Sequence, residues 1–573
     1  MKPHPESAQP DAQPTYPADM AAYFAAAAEP SEEELAVAQA QADLEAQEEE
    51  RAAALAALVR SSLLGDDADL WDGVLSDTAE LDSWDDDAQA AGEEGGLVRE
   101  AAGGAASAKK GSNRHEMELA AAAHRVELDA RIEEIYRAIL TRAPEHKVQP
   151  SLERVARACQ LLGDPQLAYQ TVHVTGTNGK TSTARMISAL LRERGMSVAT
   201  FTSPHLHTVR ERMMIGLEPL GREEFLEAWD SVGPIVEMVD AESAAAGGVR
   251  MSFFEVFTVL AFTAFANCGV EVAVVEVGMG GRWDATNVID SAVQVITPIA
   301  QDHDAFLGTD LLSIAAEKAG ILRPGATLVL GPQEEDVEDF LLEAAAQQGV
   351  LVRRFGADFD YGDRELAVGG QMLTLSTPAA RYEGVHLPLH GEYQGLNAAA
   401  ALTAVEALFG GGALPPLTVE HGFMSVTSPG RLEVVRSSPT VLVDAAHNPH
   451  GVAAVRQAVE EAFGFSTLVG VFACMADKHA EAMLAELEPL LAEIVITSME
   501  GPRAMDATEL AELAGEVFGP QRVHLQEDLA AAIDTAAALA ESDQGPAVDT
   551  GVLVVGSVLL AAHAREVMGK HSF

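Results

Sequence analysis

From about residue 120 the chain alternates short β-branched, apolar runs with stretches whose apolar positions recur at helical spacing. The runs Thr171–Val174, Ser197–Thr202, Glu271–Val277, Gln294–Thr297 and Thr327–Leu330 predict strands, and Thr181–Arg194, Phe253–Asn267 and Leu311–Ala319 predict helices. Such alternation calls for a mostly parallel sheet with helices on both faces. Between Phe355 and Leu389 the helical period gives way to short strands set off by Gly and Pro turns. A second α/β series opens near Pro429. It predicts strands at Val441–Val443, Leu468–Phe472, Ile494–Thr497, Arg522–Leu525 and Val552–Val555, and helices at Gly451–Phe463, Ala480–Leu491, Ala507–Phe518 and Leu529–Leu539. Two α/β domains are expected, a larger one over residues 120–427 and a smaller one over 428–573. The most apolar stretch, Phe253–Val277, is broken by Glu255, Asn267, Glu271 and Glu276, too polar for the ~20 lipid-facing residues of a membrane span.

Residues 1–115 follow neither period. They hold 25 Asp and Glu against 7 Lys and Arg and are rich in Ala, Gln, Ser and Pro, a composition that buries too little apolar surface to offset the entropy of ordering. A disordered acidic tail is expected, with helical stretches at Ser31–Leu63 and after Asn113. The whole chain of 573 residues carries a formal net charge of −51, which repels a phosphate backbone and argues against a nucleic-acid partner. Cys159, Cys268 and Cys474 lie far apart and form no CxxC pair, so neither a disulfide framework nor a thiolate zinc site is expected. No basic segment followed by an apolar core opens the chain, and a cytoplasmic setting without a membrane partner follows as the expectation.

The sharpest local signal is Val174-Thr175-Gly176-Thr177-Asn178-Gly179-Lys180-Thr181-Ser182, which follows a predicted strand and opens a predicted helix. Small residues here let backbone N–H groups wrap phosphate oxygens at the positive end of a helix. In such a loop Gly176, Thr177, Asn178 and Gly179 cradle the phosphates of ATP, Lys180 reaches the β/γ-phosphates and Thr181 faces a magnesium ion. The general pattern has Gly six residues before the lysine, where this chain has Val174. The first domain is thus expected to be of P-loop type and the second Rossmann-like.

The variant string TGTNGKT resembles the Mur ligase superfamily of ATP-dependent amide-forming ligases. Further stretches narrow the resemblance to its folylpolyglutamate synthase and dihydrofolate synthase branch: Thr202–Leu206, Ser252-Phe253-Phe254-Glu255, Glu276–Asn287, Asp302-His303 with Leu307-Gly308, Glu317–Ile321 with Pro324-Gly325, Pro429-Gly430-Arg431 and Asp444–Pro449. The resemblance covers roughly residues 145–573 and leaves out the acidic tail. It implies a magnesium shell of Thr181, Ser203, Glu276 and His303, with two ions bound in all. It also implies a carbamylated Lys318 able to hold the second ion, and burial would help that lysine lose its proton. Asn397, Arg431 and Asp444 would contact the nucleotide and His447 would take part in catalysis. Ser252, Phe253, Phe254, Glu255, Trp283, Asp284 and Ala285 would line the pterin, where aromatic faces suit a flat heterocycle, with Lys147–Gln149 touching dihydropteroate.

The implied reaction phosphorylates a pterin-linked carboxylate with ATP and lets the amine of L-glutamate displace the phosphate. Either dihydropteroate or a reduced folate could be the acceptor, and the protein is expected to be a monomer. A peptidoglycan-type Mur ligase is the alternative, but it would call for a nucleotide-sugar-binding N-terminal domain that the acidic tail does not resemble. A P-loop switch without ligase activity would leave Glu276, His303, Lys318 and Asp444 unexplained.

Overall fold

The computed structural model describes residues 103–143, 151–301, 310–501, 503–542 and 549–570. The chain divides into two compact units, Met1–Ala121 and Ala122–Phe573. Of the first, the described residues include only the opening turns of helix α1 (Gly103–Leu140), which starts inside the segment expected to be a tail. The helix expected at Ser31–Leu63, the Lys147–Gln149 segment and His303 lie outside the described residues.

In the second unit the chain runs α2 (Glu153–Leu161), β1 (Gln170–Thr175), α3 (Lys180–Glu193), β2 (Val198–Phe201), β3 (Met213–Ile215), β4 (Glu218–Pro219), α4 (Arg222–Ala245), α5 (Phe253–Asn267) and β5 (Val272–Glu276). It continues through β6 (Val293–Ile296), α6 (Leu311–Lys318), β7 (Thr327–Leu330), α7 (Glu335–Gln348) and β8 (Leu351–Arg354). Among the described residues these strands form one eight-stranded sheet in the order β4-β3-β2-β5-β1-β6-β7-β8, parallel except for the β2–β3 and β3–β4 pairs at one edge. β1 sits between β5 and β6, so the chain leaves its end toward β2 on one side while β6 joins on the other. A reversal of this kind opens a crevice at the carboxyl ends of the central strands.

A three-stranded antiparallel sheet of β9 (Asp360–Ala367), β10 (Gly370–Ser376) and β11 (Arg381–Leu387) follows, then α8 (Glu392–Leu408) and α9 (Pro416–Met424). α8 is buried from Asn397 to Glu406, and its run of alanines lets it lie close against α3. α5 is apolar on every face and buried from Phe253 to Phe265, as a helix enclosed in a core should be.

The remaining elements are β12 (Glu433–Ser437), β13 (Thr440–Val443), α10 (Pro449–Ala462), β14 (Thr467–Phe472), α11 (Ala480–Leu487), β15 (Glu493–Ile496), α12 (Ala507–Phe518), β16 (Val523–Leu525), α13 (Leu529–Ser542), β17 (Thr550–Val555) and α14 (Val558–Val567). They build a second sheet, β12-β13-β17-β14-β15-β16, parallel except for the β12–β13 edge pair. Its two apolar faces are covered by separate clusters, one around Val452, Met483 and Leu510 and the other around Ile533, Ala536 and Leu560.

Candidate active site

The phosphate loop leaves β1 at Thr175 and enters α3 at Lys180, and two glycines make the turn possible. Gly176 has φ +142° and a Cβ there would collide with the Thr297 side chain; Gly179 caps α3 at φ +88°, where a Cβ would sit 2.6 Å from Asn397 Oδ1. Thr177 pins the loop to the end of β6, its hydroxyl donating to the Ala300 carbonyl at 2.9 Å and its backbone N–H to that of Pro298 at 3.0 Å. Lys180 Nζ donates to the carbonyls of Gly176 and Thr177 at 3.2 and 3.0 Å, and Lys318 Nζ, from the end of α6, donates to the same Gly176 oxygen at 2.7 Å. Two lysine side chains thus converge on the loop, and Lys318 is only 3% exposed.

Register carries Glu276 to the same place, since it pairs with Val174 at the end of β5. Its carboxylate accepts the Thr181 hydroxyl at 2.9 and 3.0 Å and the Ser203 backbone N–H at 3.4 Å. Burial raises its pKa above the usual carboxylate value, against the opposing pull of Lys180, the Thr181 and Ser203 bonds and Arg431. A buried carboxylate beside two hydroxyl-bearing residues is an oxygen donor set that suits Mg²⁺, which keeps several waters and takes few protein ligands. Among the described residues no three His, Cys, Asp or Glu side chains gather as a metal cluster.

The second sheet supplies the facing wall. Asp444 follows β13 and is held by the N–H groups of Leu432 and Ala446, each 2.7 Å from a carboxylate oxygen. Burial raises its pKa too, and Arg431 is the largest influence opposing that rise. Arg431 therefore lies within electrostatic reach of both Glu276 and Asp444, one carboxylate from each sheet. His447 Nδ1 donates to the Ala445 carbonyl at 2.9 Å. Asn397 is buried in α8 beside Gly179 and donates to Gln394 at 3.0 Å.

Two further features escape a reading of the sequence. Arg185, one turn along α3 from Thr181, is half-buried among charges; desolvation and the like charge of Arg431 lower its pKa to about 10. Its helical spacing from Thr181 was the available signal. Asn178 bridges to the second sheet's domain, exchanging bonds with the Asn448 amide at 3.3 and 3.4 Å and with His450 Nδ1 at 2.9 Å; nothing in the sequence pairs residues so far apart.

The residues expected to face the pterin are mostly enclosed. Ser252 and Glu255 form the capping box of α5, and Glu255 is paired with Arg154 at 2.9 Å. Phe253 packs on Phe257 with Arg212 5.1 Å above its ring, and Phe254 lies against Phe201 and under Gly278. Asp284 caps a short turn that contains buried Ala285, while Trp283 keeps 38% of its surface exposed.

The domains described by these residues are known ones. The Mur ligase middle domain matches residues 238–405, and the Mur ligase glutamate ligase domain matches residues 430–558. The Mycobacterium tuberculosis dihydrofolate synthase/folylpolyglutamate synthase is 45% identical over 448 residues, 75% of this chain and 92% of that protein. This chain belongs to the dihydrofolate synthase/folylpolyglutamate synthase family. The Escherichia coli member is 32% identical over 73% of this chain and 91% of its own length. Among solved structures, Mycobacterium tuberculosis folylpolyglutamate synthase complexed with ADP superposes with a TM-score of 0.75 at 43% identity, covering 78% of this chain and all of that one. Escherichia coli FolC in complex with DHPP and ADP gives 0.66 at 29% identity, covering 76% and 97%. Like them, the chain is an ATP-dependent ligase. Among the described residues no helix is long and apolar enough to cross a membrane.

Proposed function

We propose that this ligase joins L-glutamate to the carboxylate of dihydropteroate, of a reduced folate, or of both, in the crevice between its two sheets. The observation that carries this reading is the convergence of the Lys180 and Lys318 side chains and the Glu276–Thr181 pair on the phosphate loop, with Asn178 bonded across to Asn448 of the opposite wall. Gly176–Thr181 hold the triphosphate at the α3 N-terminus, with Lys180 swinging from its backbone carbonyls onto the β/γ oxygens. Asp444 and Asn397 take the ribose and base side. Magnesium held by Thr181, Ser203 and Glu276 would offset charge on the phosphates as the terminal one is transferred. His303 and a carbamylated Lys318 would hold the second ion; the burial of Lys318 supports this, and Lys318→Ala is expected to lose activity that added acetate partly restores.

In the reaction a pterin-linked carboxylate oxygen attacks the γ-phosphorus and ADP departs. The glutamate amine then attacks the acyl carbon, phosphate leaves with its C–O bond broken, and His447 Nε2 takes the surplus amine proton. Arg431 and Lys180 neutralise the moving phosphoryl group, and the two walls exclude water from the acyl phosphate. The partners are small molecules, the working form is a monomer and the setting is the cytoplasm, where the three free cysteines stay reduced. Incubation of the purified chain with ATP, glutamate and either dihydropteroate or tetrahydrofolate tests the assignment by product mass. One added glutamyl group per ADP is expected; ADP release that ignores glutamate, or no glutamylated product from either acceptor, would overturn it.

A further inference from the structure

Strand β1 fastens the Gly278–Asn287 segment through two wholly buried side chains. Thr175 Oγ1 donates to the Gly280 carbonyl at 2.8 Å, and His173 Nε2 lies 2.9 Å from Thr286 Oγ1. What Thr286 does with its own proton fixes the direction of the second bond. Its hydroxyl donates to Asp284 Oδ1, which also accepts the Thr286 backbone N–H at 2.9 Å, while Asp284 Oδ2 accepts the Met279 N–H at 2.9 Å. A hydroxyl has one proton to give, so His173 must donate, and its ring is the Nε2–H tautomer. Nδ1 then carries a lone pair, and it has no hydrogen-bond partner among the described residues. A protonated ring would bury an unpaired N–H; burial accordingly holds the His173 pKa down to about 3, so the ring stays neutral.

We propose that His173 and Thr286 are positioning residues for the pterin-side loop: His173 orients the Thr286 hydroxyl, which fixes the Asp284 carboxylate and with it the Met279–Ala285 turn. This rests on the reading that the loop meets the pterin. The strand that anchors the loop is also the one that runs into Gly176, so a single rigid element registers the carboxylate to be activated against the phosphate to be transferred. Neither residue touches substrate.

KM values for the pterin acceptor and for ATP, measured on the full chain, separate this role from plain packing. Thr286→Val keeps the shape and removes the hydroxyl; it is expected to raise the acceptor KM about tenfold, the weight of a hydrogen bond to a charged group, with the ATP KM within about twofold. Thr286→Ser should restore the acceptor KM. His173→Leu should match Thr286→Val, and the double variant should be no worse than either single one, because one chain of bonds is broken in each. Equal rises in both KM values, or additive effects in the double variant, would overturn the relay. If His173→Leu fails to fold, the Val and Ser variants at Thr286 decide the matter. Trp283→Ala and Asp284→Asn test the reading beneath it: if neither moves the acceptor KM, the loop is not the pterin side. If they do and Thr286→Val does not, the relay alone is wrong.

Discussion

Glu276 shows how much a single residue's meaning depends on its surroundings. At the end of an apolar strand it could be a solvated charge, yet it is 1% exposed and bonded to Thr181 and Ser203. A carboxylate is held in such a place only where a cation or protein donors repay the desolvation. Glu276→Gln keeps the shape and removes the charge, and kcat is expected to fall about 100-fold or more in the glutamylation assay; an unchanged kcat would remove Glu276 from the site. The second residue-scale prediction concerns His173. Its ordinary pKa of 6.5 drops to about 3 in the fold, so between those values the unfolded chain takes up a proton that the folded chain refuses. Stability contributed by the neutral ring is thus complete above pH 6.5 and declines as pH falls toward 3. Urea denaturation at pH 7 and pH 5 should show the wild type losing about 2 kcal/mol more than His173→Leu. Sequence patterns made Lys180, Thr181 and the strand-end position of Glu276 legible, because a loop between a strand and a helix has local spelling. The bonds of Asn178 to Asn448 and His450, and of His173 to Thr286, join residues distant in sequence, which no local pattern reports.

At the scale of elements, the central strands β1, β2, β5, β6 and β7 of the first sheet and β13 to β17 of the second were legible from their β-branched runs, as was α5 with its Ser252 cap, whereas the edge strands β3, β4, β8 and β12 were not. α4, α7 and α8 were not. α4 is interrupted by Gly233-Pro234 in mid-helix, and α8 is so uniformly apolar and alanine-rich that it has no contrasting face to mark a helical period. The polar atoms of Ser252 and Glu255, expected to line a pterin, are engaged in the capping box of α5 and the Arg154 pair. The phosphate loop is the element most exposed to a single substitution. Gly176→Ala forces a side chain into a left-handed backbone position against Thr297, and nucleotide affinity measured by calorimetry is expected to fall at least about tenfold.

Across the whole second unit, side-chain bonds join the two sheets. Arg565 of α14 is 2% exposed and reaches both Glu433, at 2.8 Å, and His207 in the loop that follows Ser203; Glu433 in turn accepts the Gly430 N–H beside Arg431. This buried guanidinium, with a carboxylate and an imidazole as partners, ties the turn at Gly430-Arg431 to the His207 loop. The net charge of −51 is less informative here than its distribution: Lys180, Arg185 and Arg431 gather positive charge around the phosphate loop and Glu276. The matched relatives leave about a quarter of the chain uncovered, and removal of residues 1–102, ahead of α1, is expected to leave kcat/KM for ATP and for the pterin acceptor unchanged within about twofold. The most direct test of the mechanism is isotope transfer from the acceptor. With ¹⁸O in the pterin-linked carboxylate, activation as an acyl phosphate predicts one ¹⁸O in each inorganic phosphate released alongside the amide; phosphate free of ¹⁸O, with amide still formed, would contradict it.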